Sequence, residues 1–160
     1  AGSTMVGQNL AGGKFSRVKE IMLAIAKIGL TIAAIISLTI VIFPQQIFGL
    51  FTDDMSVLEI SGGYIPIAVL LFFGSASRAI MNALLNGSGN YRMNFAVAIL
   101  DGIIMRVGLA LLFGLVLDMK HYGFWLGDAL AGYTPFFIGL VYYFSGSWKT
   151  RKYVIKEEKA

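Results

Sequence analysis

Five ionisable side chains, Lys27, Arg78, Asp101, Arg106 and Asp128, stand inside long apolar runs of this sequence. A charge at the centre of a bilayer costs roughly 2.5–3.5 kcal/mol on insertion scales, so such residues face a bundle interior or an aqueous cavity and mark candidate functional sites. A carboxylate among them can exchange a proton or give oxygen to a sodium ion, and a guanidinium can neutralise it. Helical spacing sorts the five. Ser61, Tyr64, Ser75, Arg78, Asn82 and Asn86 fall on one face by steps of three and four, with Ile65, Val69, Phe72 and Phe73 elsewhere. Asn94, Asp101 and Gly108 share a face of the next run. Arg106, five residues beyond Asp101, should point roughly 140° away on an α-helix, which makes those two residues poor partners. Counted from the turn NGSGNYR, Arg78 lies about 12 Å above Asn86 and Asp101 about 13 Å above Arg92. Equal depth on consecutive helices predicts an Arg78–Asp101 pair.

The pair carries two readings. Arg78 neutralises Asp101 and fixes helix packing, or Asp101 changes charge in a working cycle by exchanging a proton or contributing to a sodium site. Asp128 sits in GFWLGDALAGYTP on a face with Gly132, Pro135 and Gly139. It could line a cation pathway, but at about 9 Å from the outer end of its run it is expected to reach water. The glycines permit close helix approach and Pro135 removes a backbone hydrogen bond, bending the run. Lys27, about 9 Å from the inner end, is expected to snorkel. Met81, Met93 and Met105, with Tyr64, Phe72, Tyr133 and Phe136, offer either a polarisable wall for aromatic cations or ordinary packing. The sequence has one histidine, His121, and no cysteine, so no metal or thiol constellation is expected. No GxxxxGK[ST] phosphate loop occurs.

The elements that must position these residues are membrane helices. Hydrophobic residues make up 57% of the chain and charged ones 14%, and the mean hydropathy is +0.74. That leaves too little charge to coat a soluble domain. A bilayer core of about 30 Å needs roughly 20 apolar residues of helix. Four stretches meet that length, at 21–43, 60–85, 94–117 and 122–144. Spanning strands would alternate in polarity, whereas LAIAKIGLTIAAIISLTIVIF is apolar throughout. The expected fold is therefore all-α and integral to the membrane: a loop over 1–20, a four-helix transmembrane bundle over 21–146, and a basic tail over 147–160.

Basic residues orient it. Lys14, Arg17 and Lys19 precede the first span, Arg92 lies in the second connection, and Lys149, Arg151, Lys152, Lys156 and Lys159 follow the last span. The first connection holds Asp53, Asp54 and Glu59 with no Lys or Arg, and the third only Lys120. Positive charge alternates with each crossing, which predicts both termini in the cytoplasm. The net charge of +4 thus reports topology, with anionic membrane lipids as neighbours and no nucleic-acid partner. Pro44 ends the first span, and IFGLF after it reads as a short helix at the outer interface. Trp125 and Trp148 fall near opposite ends of the last span, where aromatic belts sit. No signal peptide is expected in the first 20 residues.

STMVGQNLAGGKFSRVKE before a long apolar span, then IFGLFTDD, ALLNGSGNYRMNF, an Arg inside the next span, YGFWLGDAL and SGSWKTRK, occur in an order that resembles the C-terminal part of multidrug and toxic compound extrusion (MATE) transporters. The resemblance implies twelve helices in two lobes, with this chain supplying the loop after the eighth helix and helices nine to twelve of the C-terminal lobe. It implies a secondary antiporter of the cell (inner) membrane that exports organic cations against protons or sodium, with no other cofactor. The remainder of the transporter, including the missing lobe, becomes a necessary partner. In that reading Ser75, Arg78, Asn82, Asn86 and Asp101 face the lobe's cavity, Asp128 is a second cavity candidate, and Arg106, Gly132 and Pro135 have packing or gating roles. A lipid-linked oligosaccharide flippase of the same wider superfamily, and a small helical membrane scaffold or channel subunit, are the alternatives.

Overall fold

The computed structural model describes residues 1–150, and within them every regular element is a helix. Four segments are long and apolar enough to cross a membrane: Phe15–Ile42, Met55–Gly87, Tyr91–Val116 and Lys120–Ser145. Helices are what such sequences must form in lipid, because each satisfies its backbone groups internally. The first crossing is α2 (Phe15–Ile42), preceded by α1 (Gly2–Ala11) and followed by the short α3 (Pro44–Gly49). The second is α4 (Met55–Gly87). The third combines α5 (Tyr91–Ile99), a π-helical segment π1 (Leu100–Met105), α6 (Arg106–Leu111) and a second one, π2 (Leu112–Val116). The fourth is α7 (Lys120–Ala131) and α8 (Thr134–Ser145), with α9 (Ser147–Thr150) after it.

Local chemistry sets the boundaries. Gly13, at φ +68°, turns the chain between α1 and α2. Pro44 starts α3, and its ring disfavours helical geometry at Phe43, which stands at φ −121°. Asp54 caps α4 by accepting from the Ser56 N–H at 2.9 Å and the Ser56 hydroxyl at 2.7 Å. At the far end of α4 the chain turns through Gly89, at φ +65°, and Asn90 caps α5 by accepting from the Met93 N–H at 3.3 Å.

Two sequence expectations change here. Residues 1–20, read as a loop, hold α1 and the start of α2, and Val6, Leu10 and Val18 from them are buried. Small residues that look like loop composition serve close packing instead. A Cβ on Gly87 would collide with Val6 and the Ser3 carbonyl, so α1 crosses α4 with only hydrogen at that point. The fourth crossing carries the interruption that Pro135 predicts: Gly132 and Tyr133 keep α-region backbone but form a turn between α7 and α8, just before Pro135 in the first turn of α8. Trp148, expected in an interfacial belt, is 1% exposed. Its indole N–H donates to the Tyr143 carbonyl at 2.9 Å, its ring stacks on Tyr143, and Phe15 meets it edge-on. It therefore locks α8 and α9 against the start of α2. The core runs from there through Met22, Met81, Leu84, Leu85, Val97 and Tyr142. Of the basic tail residues, Arg151, Lys152, Lys156 and Lys159 lie outside the described residues.

Candidate functional site

Four of the five membrane charges form one connected network across three crossings. Arg78 projects from the C-terminal half of α4, and its Nη2 lies 3.0 Å from Asp101 Oδ1 and 2.8 Å from Asp101 Oδ2. The depth argument anticipated this contact. Asp101 sits in π1, with its side chain 10% exposed. Arg106 donates through Nη1 to Asp128 Oδ1 on α7, and its Nη2 stands 3.8 Å from Asp101 Oδ1. Two arginines and two aspartates thus alternate as Arg78, Asp101, Arg106 and Asp128, with balanced charge. A charge inside lipid is tolerable when so compensated.

The Asp101–Arg106 approach corrects the sequence expectation of divergent directions. That expectation assumed 3.6 residues per turn. A π-helix closes its hydrogen bonds from i to i+5, so residues five apart stack on one face, and π1 occupies the interval between Asp101 and Arg106. No residue type in LDGIIM announces the change. Asp128, expected to reach water, is 42% exposed at its side chain yet bound by Arg106. Lys27 lies on the exposed face of α2 and takes no part.

Beside the network is a polar cavity of about 310 Å³. Arg78, Asn82 and Asn86 line it from α4, Asn94 and Asp101 from the third crossing, and Pro135 from α8. Asn82 and Asn86 also line a second space of about 240 Å³ against Gly2, Ser3 and Ile25, so their carboxamides separate two adjoining hollows. Ser75 does not belong to either. It faces a groove against α2, with Gly29 and Ala33 opposite, so the polar stripe read from the sequence divides between two faces. Asn94 enters the cavity without having been singled out beyond its seven-residue spacing from Asp101, and that spacing was its available signal. Gly132 adjoins the network, since a Cβ there would lie 3.7 Å from Arg78 Nη2. Tyr133, read from the sequence as a wall or packing residue, also makes a tie between helices that the sequence did not signal. From the break in the fourth crossing its hydroxyl donates to the Leu70 carbonyl at 2.8 Å, while its ring covers Gly74. The broken helix is thereby tied to α4 a few turns from Arg78. Among the described residues no three His, Cys, Asp or Glu side chains gather as a metal site.

Chemically, the arrangement offers a buried carboxylate shared unequally by two guanidiniums, next to a hollow lined by carboxamides. Such a site can hold an ion or a polar group, and changes in Asp101 pairing can reach α7 through Arg106.

Comparison with known proteins agrees with this architecture. Over 159 residues the chain is 24% identical to a probable multidrug resistance protein NorM of Thermotoga maritima, covering 97% of this chain and 33% of that protein. It is 27% identical over 131 residues to a probable multidrug resistance protein NorM of Pasteurella multocida, covering 79% of this chain and 28% of that one. The chain therefore spans about a third of the length of these curated relatives. No solved structure matches it. A family model described as MatE matches residues 1–116, which include the first three crossings and the Arg78–Asp101 pair. This multi-pass membrane chain belongs to the MatE family.

Proposed function

We propose that this chain forms part of the C-terminal lobe of a secondary transporter that exports organic cations from the cell in exchange for protons or sodium ions. The observation that carries the proposal is the compensated charge network beside a polar cavity inside apolar helices, in a chain whose relatives bear multidrug resistance names. The protein sits in the inner membrane with both described ends of the bundle's connections to the cytoplasm basic, and it works together with the remainder of a two-lobed transporter.

In this reading the cavity admits the coupling ion to Asp101. A proton taken up there, or a sodium ion bound to its oxygens, weakens the hold of Asp101 on Arg78 and on Arg106. Arg106 then relies on Asp128, which lies one turn before the break in the fourth crossing. Ion occupancy acquires a path to the relative placement of α7 and α8, and direction follows from unequal binding of ion and cation to the outward and inward states.

The test is ethidium efflux from proteoliposomes that contain the full-length protein, wild type or Asp101→Asn, under an imposed proton or sodium gradient. Wild type should respond to one gradient, and the folded variant should lose that response. Efflux unchanged in the variant would make the network purely structural. Folded wild type that moves no ethidium under either gradient sinks the export reading.

A further inference from the structure

The adjoining halves of the third and fourth crossings pack as one hairpin, 106–131, made of α6, π2 and α7. Its arms touch backbone to backbone. A Cβ on Gly127 would meet the Ala110 nitrogen and the Leu109 carbonyl carbon, one on Gly123 would meet the Phe113 carbonyl, and the Phe124 ring covers Gly114. Where glycine lets two backbones meet, no flexible side chain stands between them to yield. The connection is equally tight. Asp118 and Lys120 turn it at φ +51° and +53°, and the Met119 N–H donates to the Phe113 carbonyl at 3.0 Å. At the opposite end of the hairpin Arg106 holds Asp128 and closes it.

Two joints at one depth connect the hairpin to the rest of the chain. At 1.5 Å per residue, π1 lies about 14–21 Å from the Tyr91 end of its crossing, and Tyr133 about 18 Å from the Ser145 end of the next. A π segment is a place where helices kink, because its wider turn interrupts the i to i+4 ladder. π1 is also loosely packed on one side: a Cβ on Gly102 would meet nothing within 4 Å, and Ile103 and Ile104 are exposed. The other joint, the Gly132 and Tyr133 turn, is pinned to α4 through the Tyr133 hydroxyl and the Leu70 carbonyl. The ion pairs divide at the same level. Arg78–Asp101 belongs to the base of the bundle and Arg106–Asp128 to the hairpin, whereas the 3.8 Å approach of Arg106 Nη2 to Asp101 Oδ1 spans π1.

We infer that residues 106–131 move as a rigid body about two joints, π1 and the Gly132 and Tyr133 turn, and that the charge of Asp101 sets their resting angle. With Asp101 ionised, Arg106 is drawn to it and the hairpin keeps the observed position. When a proton or a sodium ion occupies Asp101, the ionic tie across π1 weakens while Arg106 stays with Asp128, and the hairpin swings. The ionisable groups that face Asp101 are Arg78 from α4 and Arg106 from its own crossing, with Asp128 of α7 behind Arg106. The arm from Arg106 to Val116 is about 15 Å long, so a change of about 20° at π1 displaces Val116 by about 5 Å. The joints are independent of the function proposed above; the response to Asp101 rests on it.

Electron–electron distance measurements between nitroxide pairs, in an otherwise cysteine-free full-length protein in lipid, test it. One pair, Val116→Cys with Ile42→Cys, joins the hairpin to the end of α2; the other, Tyr91→Cys with Phe144→Cys, lies wholly in the base, and all four native side chains are exposed. The reference is the protein with native Asp101 at alkaline pH without sodium. Adding protons or sodium, or introducing Asp101→Asn, should shift the Val116–Ile42 distance by about 5 Å, the sweep of a 20° change at π1, and leave Tyr91–Phe144 unchanged. An unchanged Tyr91–Phe144 distance also shows that the variant is folded, and the comparison with native Asp101 needs no such variant. A Val116–Ile42 distance fixed under every condition would overturn the inference, as would equal shifts in both pairs, which mean that the whole bundle deforms. Gradient-driven efflux with a fixed hairpin would remove the hinge and leave the export function standing; a swinging hairpin in a protein that moves no ethidium would do the reverse.

Discussion

At the scale of single residues, the Arg78–Asp101 contact shows how a bilayer selects pairs. Each charge alone is expensive in an apolar helix, and one joined to its complement is not. Removing one partner should therefore hurt more than removing both. Asp101→Ala leaves a guanidinium without its main partner and should lower stability by about 3 kcal/mol, toward the lower end for a broken buried pair because a third of Arg78 remains accessible. The double variant Arg78→Met, Asp101→Leu should recover most of that loss. Denaturant unfolding in detergent of all variants gives the coupling, and a double variant as unstable as the single one would refute the pair's energetic role. The pair was readable from depth alone, since two helices leaving one tight turn climb at the same rise per residue. Arg106 was not, because its direction depends on a change of helical pitch that leaves no mark in LDGIIM.

At the scale of elements, glycine separates helices that touch from helices that face lipid. Gly123 and Gly127 bring α7 onto the backbone of the third crossing, where a Cβ on Gly127 would meet the Ala110 nitrogen and the Leu109 carbonyl carbon. Backbone cannot move aside as a flexible side chain can. Gly127→Leu should thus cost at least about 3 kcal/mol. Gly62, in the middle of a helix with open space where its Cβ would be, makes the contrasting case: Gly62→Ala should be neutral or stabilise by up to about 1 kcal/mol through helix propensity. Thermal unfolding of the two variants side by side checks both, and similar losses would show that the α7 contact is loose. The four crossings were legible from apolar length, with ends displaced by a few residues. The interruption at Gly132 and Tyr133 was legible from Pro135, which removes a hydrogen bond from the ladder.

At the scale of the whole molecule, the distribution of Lys and Arg predicts the sides of the membrane. The chain contains no cysteine, so single cysteines in it report topology directly in an otherwise cysteine-free full-length protein. Tyr91→Cys, next to the Gly89 turn, should react with a membrane-impermeant maleimide only from the cytoplasmic side, and Phe51→Cys, after α3, only from the opposite side. Both native residues are well exposed, at 67% and 84%. Reaction of both from one side would contradict the positive-inside assignment.

By itself the sequence determined the class of fold, the number of crossings, the Arg78–Asp101 partnership and the order of motifs that resembles the MATE family. Those follow from composition, apolar length and rise per residue, which are local and additive. Tertiary structure decided that residues 2–11 are a packed helix, that Trp148 is a core anchor, that Ser75 leaves the polar cavity, and that Asp101 reaches Arg106 while Arg106 holds Asp128. Each of these depends on which faces meet after the helices pack and on where a helix adds one residue to its turn, and neither is encoded in the spacing of one segment alone.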